Sequence, residues 1–478
     1  MFPILRGICF SMIPILREIV NYFITLLLLC TGLVALIAIL SVFALRKYVL
    51  NKKRMSGGQE HIIRIGIFHP YCNTGAGVER VMWCAIRALQ FKYGSKIHIR
   101  VYTGDTNVNS QQILRNAERM FNILVDEKNV DFVFLKQRYL VEEHRDPFFN
   151  LLGQCLGSMV LGMEALLRYQ PDVFIDTMGY AFTYPIFRYI GGCRVGCYTH
   201  YPVISTNMLK LEHQSWFAWM KLFYYRMFAK IYGCVGRSAH TVMVISSWTE
   251  KYITDLWNVR THRVYPPGDV ASLKKLKHID SDQIVIISVG QFRPEKDHPL
   301  QLQAMCELRT KLQNNQPLWE KVKLVIIGSC RDKDDEERKR YLEDLTKQLS
   351  LDQSVEIKAN VSYGDIMQHF RVASIGLNTM CNEHFGIGVV DMLAAGLITV
   401  ANRSGGPMMD IIETSEDSRT GYLAVGAIDY ANCIEKILYS TKEENETIRN
   451  AARASCDRFT EEEFQSNFLR AVTPLFDE

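Results

Sequence analysis

The sequence contains no Cys-x-x-Cys pair and no group of cysteines and histidines at the spacing of a zinc site, although it has 13 cysteines in 478 residues. That absence argues against the common zinc-binding folds. An odd, dispersed set of cysteines in a chain of this length predicts free thiols in a reducing compartment. Cys193 and Cys197, the closest two, lie on a predicted strand and fit buried thiols better than metal ligands.

A large excess of one charge is also missing, since the net charge is +4 and 22% of the residues are charged. The chain therefore lacks the strongly basic face of a typical nucleic-acid-binding protein, and no nucleic-acid partner is expected. No Asp-x-Asp metal motif follows a suitable strand, because the acidic run Asp332 to Glu337 lies in a predicted charged helix. We therefore expect activity without a metal ion or another cofactor.

The sequence does have one long uncharged run, from Tyr22 to Leu45. A helix of this length exceeds the ~30 Å hydrocarbon core of a bilayer, and the run is too long for the apolar core of a signal peptide. A buried soluble helix is the less favoured alternative, because the run has no polar face. The segment Phe2 to Leu16 is interrupted by prolines and an arginine, and it is predicted to lie at the membrane interface.

Basic residues are concentrated after the uncharged run, which predicts its orientation. Two arginines precede it, whereas five basic residues follow it closely: Arg46, Lys47, Lys52, Lys53 and Arg54. By the positive-inside rule, a single N-terminal transmembrane helix would leave the rest of the chain in the cytosol. Free cysteines agree with that side of the membrane.

Strand-like and helical patterns alternate through the rest of the chain. The first half runs from HIIRIGIF to TVMVIS; the pattern stops at VYPPGD, Val264 to Asp269, and restarts at IVIISVG. Such alternation predicts an α/β fold of the doubly wound type, with parallel sheets covered on both faces. We predict an anchor and linker at residues 1–60 and two domains, 61–275 and 276–478, facing a ligand crevice. The final helix can pack back on the first domain.

Two cations follow a strand in the second half. Arg293 and Lys296 stand three apart after the predicted strand that ends at Gly290. At the carboxyl end of a parallel strand, two cations can neutralise a diphosphate, arginine through paired hydrogen bonds and lysine as a point charge. A solvated surface pair is the equally weighted alternative.

The loop of Gly75, Ala76 and Gly77 follows the first predicted strand of the first half. Residues this small let backbone N–H groups and the positive end of the next helix approach a phosphate or a sugar closely. A tight turn that binds nothing is the alternative, and a single Gly-x-Gly does not decide between them.

The stretch NEHFGIGVVDMLAAG, Asn382 to Gly396, combines two acids with a glycine-containing turn and an apolar helix. Glu383 precedes the helix and Asp391 lies inside it, so both carboxylates can line one side of the crevice and accept hydrogen bonds from sugar hydroxyls. Free N–H groups at the start of the helix can serve the same ligand. They belong to Phe385, Gly386, Ile387 and Gly388.

Together these motifs resemble the retaining GT-B glycosyltransferases of family four, which have two Rossmann-like domains facing a crevice. The longer segments HPYCNTGAGVERVMWCAIRALQ, YTHYPVISTNML, VYPPGDV, SVGQFRPEKDHPLQL and NEHFGIGVV are similar to the endoplasmic-reticulum α-1,2-mannosyltransferases that extend the dolichol-linked oligosaccharide. The resemblance covers the chain from about His61 to its end, and the N-terminal anchor fits it too.

The resemblance implies roles for the site residues. Arg293 and Lys296 would hold the donor diphosphate and stabilise the departing GDP. Glu383 would contact the donor mannose, and Asp391 would contact the ribose. Asp391 departs from the family, which usually has glutamate there, and the shorter acid loses one methylene of reach. The loop at Ala76 departs from an all-glycine run by one small residue.

Two further candidates follow strands of the first half: His200 in YTHYP and Asp176 in FIDTMGYAF. By position alone, His200 fits a satisfied polar group at a strand end. The resemblance reverses that preference and implies contact with the donor sugar near its anomeric centre. Asp176 is a candidate for the acceptor side, with a structural cap as the equal alternative.

The implied reaction transfers mannose from GDP-mannose to a dolichol-diphosphate-linked oligosaccharide, in α-1,2 linkage with retained configuration, at the cytosolic face of the endoplasmic reticulum membrane. The resemblance is also compatible with other mannosyltransferases of the pathway as partners. The aromatic and apolar segments 147–168 and 215–228 suit either the bilayer or the core of the first domain.

Two other functions stay open. One is a lipid-linked glycosyltransferase that uses a different nucleotide sugar, because the sequence does not identify the base or the sugar. The other is a membrane-anchored GT-B scaffold whose activity has been lost, for which Asp391 is the hint. The presence of Arg293, Lys296, Glu383 and His200 together argues against the scaffold.

Overall fold

The computed structural model describes residues 2–55, 62–75, 77–142, 150–204, 216–279 and 281–477. It begins with helix α1, Phe2–Met55, which joins the uncharged run to the segment before it. The part of α1 from Asn21 to Met55 is long and apolar enough to cross a membrane by length and composition, and its most apolar window is not buried against the protein. The predicted linker at residues 56–60 lies outside the described residues.

The last turns of α1 are fixed to the body of the protein. Arg46 Nη1 donates a hydrogen bond to the Tyr189 carbonyl at 2.9 Å, and Lys52 Nζ donates to the Leu167 carbonyl at 2.8 Å. Val49 lies between them in sequence and is fully buried. The basic residues after the apolar run therefore attach this helix to the folded body, whatever they contribute to its orientation.

A seven-stranded sheet forms the first half, and its paired strands all run parallel. Its strands are β1 Ile63–Phe68, β2 Ile97–Thr103, β3 Val130–Phe134, β4 Val173–Asp176, β5 Arg194–Thr199, β6 Thr241–Val244 and β7 His262–Arg263. The spatial order is β3-β2-β1-β4-β5-β6-β7, so the direction of winding reverses between β1 and β4. The central strands are almost continuous apolar runs because helices cover both faces of the sheet.

A six-stranded parallel sheet forms the second half. Its strands are β8 Ile284–Gln291, β9 Val322–Ser329, β10 Val355–Ala359, β11 Ala373–Asn378, β12 Ile398–Asn402 and β13 Gly421–Ala424. The order β10-β9-β8-β11-β12-β13 repeats that of the first sheet without β7, and it reverses between β8 and β11. In open sheets of this kind, ligands bind outside the carboxyl ends of the strands at the reversal.

Helices connect and cover the strands. Their bounds are α2 Gly77–Tyr93, α3 Ser110–Phe121, α4 Asn150–Arg168, α5 Trp216–Gly236, α6 Ser247–Trp257, α7 Val270–Lys274, α8 His298–Lys311, α9 Gln316–Trp319, α10 Lys333–Gln348, α11 Tyr363–Val372, α12 Ile387–Ala394, α13 Gly426–Tyr439, α14 Lys442–Ser455 and α15 Glu461–Val472. Several of these helices begin after a polar residue whose side chain caps the helix. Ser246 caps α6, and Thr441 with Glu444 forms a capping box at α14.

The last helix, α15, packs against α2 of the first half. Glu461, its first residue, pairs with Arg80 at 2.5 Å and also with Arg87. All three side chains are less than one-third exposed. Phe464 and Phe468 of the same helix are buried in a hydrophobic cluster that contains residues of both halves. The C-terminal segment therefore joins the two sheets.

The predicted fold class is confirmed. Each strand except β7 and β13 coincides with a predicted segment. β7 has only two residues, too few for a periodic pattern, and the four-residue β13 was not predicted. Cys193 and Cys197 are buried free thiols, as predicted. The domain limits at residues 60 and 275 stay predictions, as does the crossing of a membrane by α1.

The shared carboxylate of Glu461 gives a test of the packing between α15 and α2. Glu461→Ala leaves Arg80 and Arg87 without their counterion in a half-buried place, and we expect it to lower the free energy of unfolding by about 1–3 kcal/mol. Urea unfolding of the full chain in detergent measures this. Glu462→Ala removes an exposed acid from the same helical turn and should cost less than about 0.5 kcal/mol. Equal losses in the two variants would contradict the assignment.

Candidate active site

An ion pair joins the two loops at the reversal of the second sheet. β8 leads into Lys296 and β11 leads into Glu383, and Lys296 Nζ lies 2.9 Å from Glu383 Oε1. The two side chains are 23% and 14% exposed, so the pair is partly shielded from water. Shielding strengthens the attraction relative to that of a surface pair. Two of the predicted donor-site residues are thus in direct contact.

The second oxygen of Glu383 is also engaged. Oε2 accepts a hydrogen bond from Asn378 Nδ2 at 2.9 Å, and the Tyr430 hydroxyl donates to the Asn378 carbonyl at 2.8 Å. Both oxygens of the Glu383 carboxylate therefore have partners, which fix its orientation. Asn378 was not predicted as a site residue, although it ends β11 within IGLNTM and carries the same positional signal as Lys296.

A glycine-containing turn after β12, SGGP at Ser404 to Pro407, supports the backbone of Glu383. Gly406 N donates to the Glu383 carbonyl at 2.7 Å. A Cβ on Gly405 would clash with the backbone of Glu383, and one on Gly406 would clash with the backbone of Phe385. Gly405 also has a φ of +58°, which glycine adopts without strain. These two glycines are required because two backbones pass at hydrogen-bonding distance.

Arg293 and Lys296 lie in a tight bend after β8, and the aliphatic part of Lys296 runs beside Gly290. Thr379 Oγ1 donates to the Lys296 carbonyl at 2.8 Å, and Asp297 completes the bend with a left-handed φ of 47°. Within the described ranges, the Arg293 side chain forms no ion pair or hydrogen bond. The bend therefore presents one paired cation and one that is available to an anion.

The start of α12 combines a buried ring with free backbone groups. The Phe385 side chain is 4% exposed and packs on Tyr265 and Phe459, with ring centroids 5.6 and 5.4 Å away. Its ring is thus structural, and contact with a ligand would use its backbone. Gly386 turns the chain with a φ of +107°, and the N–H groups of Ile387 and Gly388 in the first helical turn have no acceptor within the helix.

Asp391 has different neighbours from Glu383. It lies on α12, half-buried, near Arg80 of the first half and Asp269. Burial raises the pKa of the Asp391 carboxyl to about 7, an effect that Arg80 opposes and Asp269 reinforces. The two acids of the NEHFGIGVVD stretch are therefore in unlike electrostatic settings, because Glu383 is held by a lysine and Asp391 is partly protonated at neutral pH.

The loop before α2 is closed by a buried acid. Glu79 is 1% exposed and accepts from Thr74 N at 2.8 Å and from Gly75 N at 3.1 Å. These two N–H groups are therefore used inside the loop. Gly75 has a φ of +77°, and Gly77 begins α2. Ala76 lies outside the described residues, and contact of the loop with a ligand stays a prediction.

His200 is held by a main-chain acceptor at the end of β4. Its Nε2 lies 3.0 Å from the Thr177 carbonyl, and because a carbonyl only accepts, Nε2 carries the proton. Burial lowers the pKa of His200 to about 4. At neutral pH the ring is therefore uncharged, with an unprotonated Nδ1 that can accept a hydrogen bond from a hydroxyl.

A second histidine, His69, adjoins the same threonine and was not predicted. It is fully buried directly after β1, and its Nδ1 lies 2.7 Å from Thr177 Oγ1. Burial lowers the pKa of His69 to about 3, and its Nε2 has no hydrogen-bond partner among the described residues. His69 begins the segment HPYC directly after β1, beside the reversal of strand order, and this position could have identified it as a candidate from the sequence.

Asp176 does not have an open carboxylate. It is fully buried at the end of β4 and accepts from Met178 N at 3.0 Å, Gly179 N at 2.8 Å and the Tyr184 hydroxyl at 2.7 Å. Burial raises the pKa of Asp176 to about 6, although the hydrogen bonds oppose this. Of the two predicted roles, the geometry favours the structural cap over contact with an acceptor.

Metal ligands do not gather anywhere in the part of the chain that the structure describes. In those ranges, no group of three or more His, Cys, Asp or Glu side chains is arranged to hold an ion. The acids Asp332 to Glu337 lie at the start of α10, as predicted. The Asp332 side chain caps the helix by accepting a hydrogen bond from Asp335 N, and the Asp335 side chain pairs with Arg338. Activity without a metal stays a prediction.

Comparisons with known proteins agree with this arrangement of two sheets and a crevice. Residues 270–454 match the family model described as glycosyl transferases group 1, and residues 62–257 match the one described as ALG11 mannosyltransferase N-terminus. Glycosyl transferase is thus the class that the fold and the site define. Within that class, the chain belongs to the ALG11 mannosyltransferase family.

Full-length relatives support the same family. The Homo sapiens protein named GDP-Man:Man(3)GlcNAc(2)-PP-Dol alpha-1,2-mannosyltransferase is 45% identical, over 97% of this chain and 97% of its own length. The proteins of that name from Mus musculus and Dictyostelium discoideum are 44% and 41% identical, over 96% and 87% of this chain and 97% and 85% of their own lengths.

Solved structures share the fold at low sequence identity. Anabaena Alr3699/HepE in complex with UDP and glucose is 15% identical, with a TM-score of 0.59 over 86% of this chain and 100% of that one. A glycosyltransferase from Rickettsia africae is 14% identical, with a TM-score of 0.62 over 87% and 99%. Likeness at this level supports the GT-B fold alone.

Proposed function

We propose that this chain transfers mannose from GDP-mannose to a dolichol-diphosphate-linked oligosaccharide, in α-1,2 linkage with retained configuration. The observation that carries the proposal is the Lys296–Glu383 pair at the reversal of the second sheet, with Arg293, which has no ion pair among the described residues, in the same bend. The names of the relatives supply the substrates. Diphosphate neutralisation and sugar recognition are the two tasks that such a site can perform side by side.

In this proposal Arg293 and Lys296 bind the donor diphosphate and stabilise the negative charge that develops on GDP as it leaves. Arg293 gives paired hydrogen bonds, and Lys296 shares its charge between Glu383 and the phosphate. Glu383 accepts hydrogen bonds from the mannose hydroxyls, because it is already oriented by Asn378. Catalysis then comes from positioning and from electrostatic stabilisation of the leaving group.

Retention of configuration follows, in this proposal, from attack on the face that GDP leaves. A double displacement would need a free carboxylate as nucleophile. Glu383 is a poor one, because both of its oxygens are engaged by Lys296 and Asn378. The neutral His200, with its unprotonated Nδ1, accepts a hydrogen bond from the sugar instead of donating a proton.

The proposal is tested by mannose transfer from radiolabelled GDP-mannose to a synthetic lipid-diphosphate pentasaccharide with three mannoses. Lys296→Ala should lower kcat/KM by about 100-fold or more, since it removes charge from the leaving group. Lys311→Ala, which breaks an exposed pair with Glu435 on the same half, is the matched control and should be near native.

Each other outcome of that assay contradicts part of the proposal. Loss of transfer with EDTA would show that a metal is needed. Transfer from another nucleotide sugar, in place of GDP-mannose, would favour the runner-up enzyme. If no nucleotide sugar supports transfer and GDP does not bind, the chain is a membrane-bound scaffold.

Asp391 is proposed to bind the ribose of the donor, and its pKa gives this a pH test. The pKa of the Asp391 carboxyl is raised to about 7, so the group is mostly protonated at pH 6 and mostly ionised at pH 8. The ionised form is the better hydrogen-bond acceptor. GDP-mannose itself has no phosphate group that titrates there. The KM for GDP-mannose should therefore fall by up to about 10-fold from pH 6 to pH 8. Asp391→Asn should abolish the dependence; an unchanged pH profile in that variant would rule out the assignment.

We further propose that α1 crosses the endoplasmic reticulum membrane once and that the catalytic halves are cytosolic. Helix α4 touches the docked end of α1 through the Leu167 carbonyl. Helices α4 and α5 carry apolar side chains that are between about one-third and three-fifths exposed: Leu156, Met159, Val160, Leu167, Trp219, Met220, Phe223, Met227 and Ile231. Lys221 and Arg226 are exposed on α5 among them. Aromatic, apolar and basic residues together suit the bilayer interface. Residues 147–149 and 215 of the two predicted segments lie outside the described residues.

Protease protection tests this topology. Trypsin added to sealed microsomes should degrade the region after residue 60 without detergent, while a lumenal marker protein stays intact. Protection of that region until detergent is added would place the catalytic halves in the lumen and overturn the orientation inferred from the basic residues.

A further inference from the structure

Two rings meet across the crevice beside the proposed sugar contacts. Tyr201 follows His200 in the first half, and His384 follows Glu383 in the second. Their ring centroids are 5.3 Å apart and their planes differ by 18°, which is a stacked arrangement. The stack is thus formed by the residues directly after His200 and Glu383, the two residues proposed to contact the mannose.

His384 is the fixed member of this pair. Its ring also packs on Trp248 of the first half, at 4.9 Å between centroids, and its carbonyl accepts a hydrogen bond from Ser246 Oγ. Burial lowers the pKa of His384; Glu383 opposes this effect and Lys296 reinforces it. The imidazole is therefore a neutral aromatic ring at physiological pH, held from two sides by the first half.

Tyr201 is the exposed member. It is 54% exposed, although one part of its ring is stacked on His384. It belongs to the half that does not carry Arg293 and Lys296, and it is the residue directly after His200. An exposed aromatic side chain thus stands next to His200, on the half that does not carry the proposed diphosphate cations.

We propose that Tyr201 is the acceptor platform of this enzyme, on which the terminal pyranose ring of the oligosaccharide lies with its C–H face, and that His384 holds Tyr201 in position. This inference rests on the proposed function. An aromatic ring provides a flat apolar surface at a small cost in side-chain entropy, since tyrosine has two rotatable χ angles. With the sugar lying on the ring, one acceptor hydroxyl is held at the face from which GDP departs.

The platform predicts a change in acceptor affinity alone. Tyr201→Ala should raise the KM for the lipid-linked pentasaccharide by about 3- to 10-fold, the range expected for one aromatic contact. The KM for GDP-mannose should stay within about 2-fold of native, because uniform loss of one substrate's binding leaves the other unaffected. Tyr201→Phe keeps the ring and should restore the native acceptor KM. Tyr139→Ala, which removes a tyrosine of the first half that is also 54% exposed, is the control and should match native.

Variants at His384 separate positioning from packing. His384→Phe keeps a ring beside Tyr201 and should leave the acceptor KM near native, whereas His384→Ala should raise it as Tyr201→Ala does. A rise in both KM values in Tyr201→Ala, or a native acceptor KM in that variant, overturns the platform while transfer by the native chain still stands. Absence of transfer by the native chain would instead contradict the proposed function itself.

Discussion

The reversal of strand order in each sheet is the constraint on which the site depends. Helices leave opposite faces of the sheet on the two sides of that point, so the loops after β1 and β4, and after β8 and β11, separate and leave a crevice. His69 and Thr177 follow the first pair of strands, and Lys296 and Glu383 follow the second. Residues far apart in sequence meet there because parallel pairing brings their strand ends to one edge.

The two halves use that edge differently. In the second half, charge is organised by the protein itself: Lys296 and Asn378 orient Glu383, and Gly406 holds its backbone. In the first half, burial keeps His200 neutral at the same edge. One half is therefore suited to phosphate and sugar hydroxyls, and the other presents uncharged groups to which a second sugar can be brought. Preorganisation of this kind lowers the cost of binding and of charge development.

Most of the fold and part of the site could be predicted from the sequence. Long apolar strands and the loops that follow them have a local signal, which indicated Lys296 and Glu383. His200 was preferred as a site residue only because of the family resemblance. The contacts between site residues have no such signal: Asn378 ends a strand like the other candidates, but its hydrogen bond to Glu383 depends on the tertiary fold. The two-residue strand β7 has too few residues for a pattern. Asp176 had the right position for a site, but burial and its three donors, including the Tyr184 hydroxyl, depend on tertiary packing that a local pattern does not contain.

The route of the C-terminal segment limits how the crevice can open. The chain passes between the halves near Gly268 and again near Phe459, and these two passages touch: Gly268 N donates to the Phe459 carbonyl at 2.9 Å, and Phe459 packs on Tyr265. Two hydrogen-bonded segments of backbone therefore cross between the halves side by side. Any rotation of one half against the other has to bend both segments together, which restricts the relative orientations that the two strand-end edges can adopt.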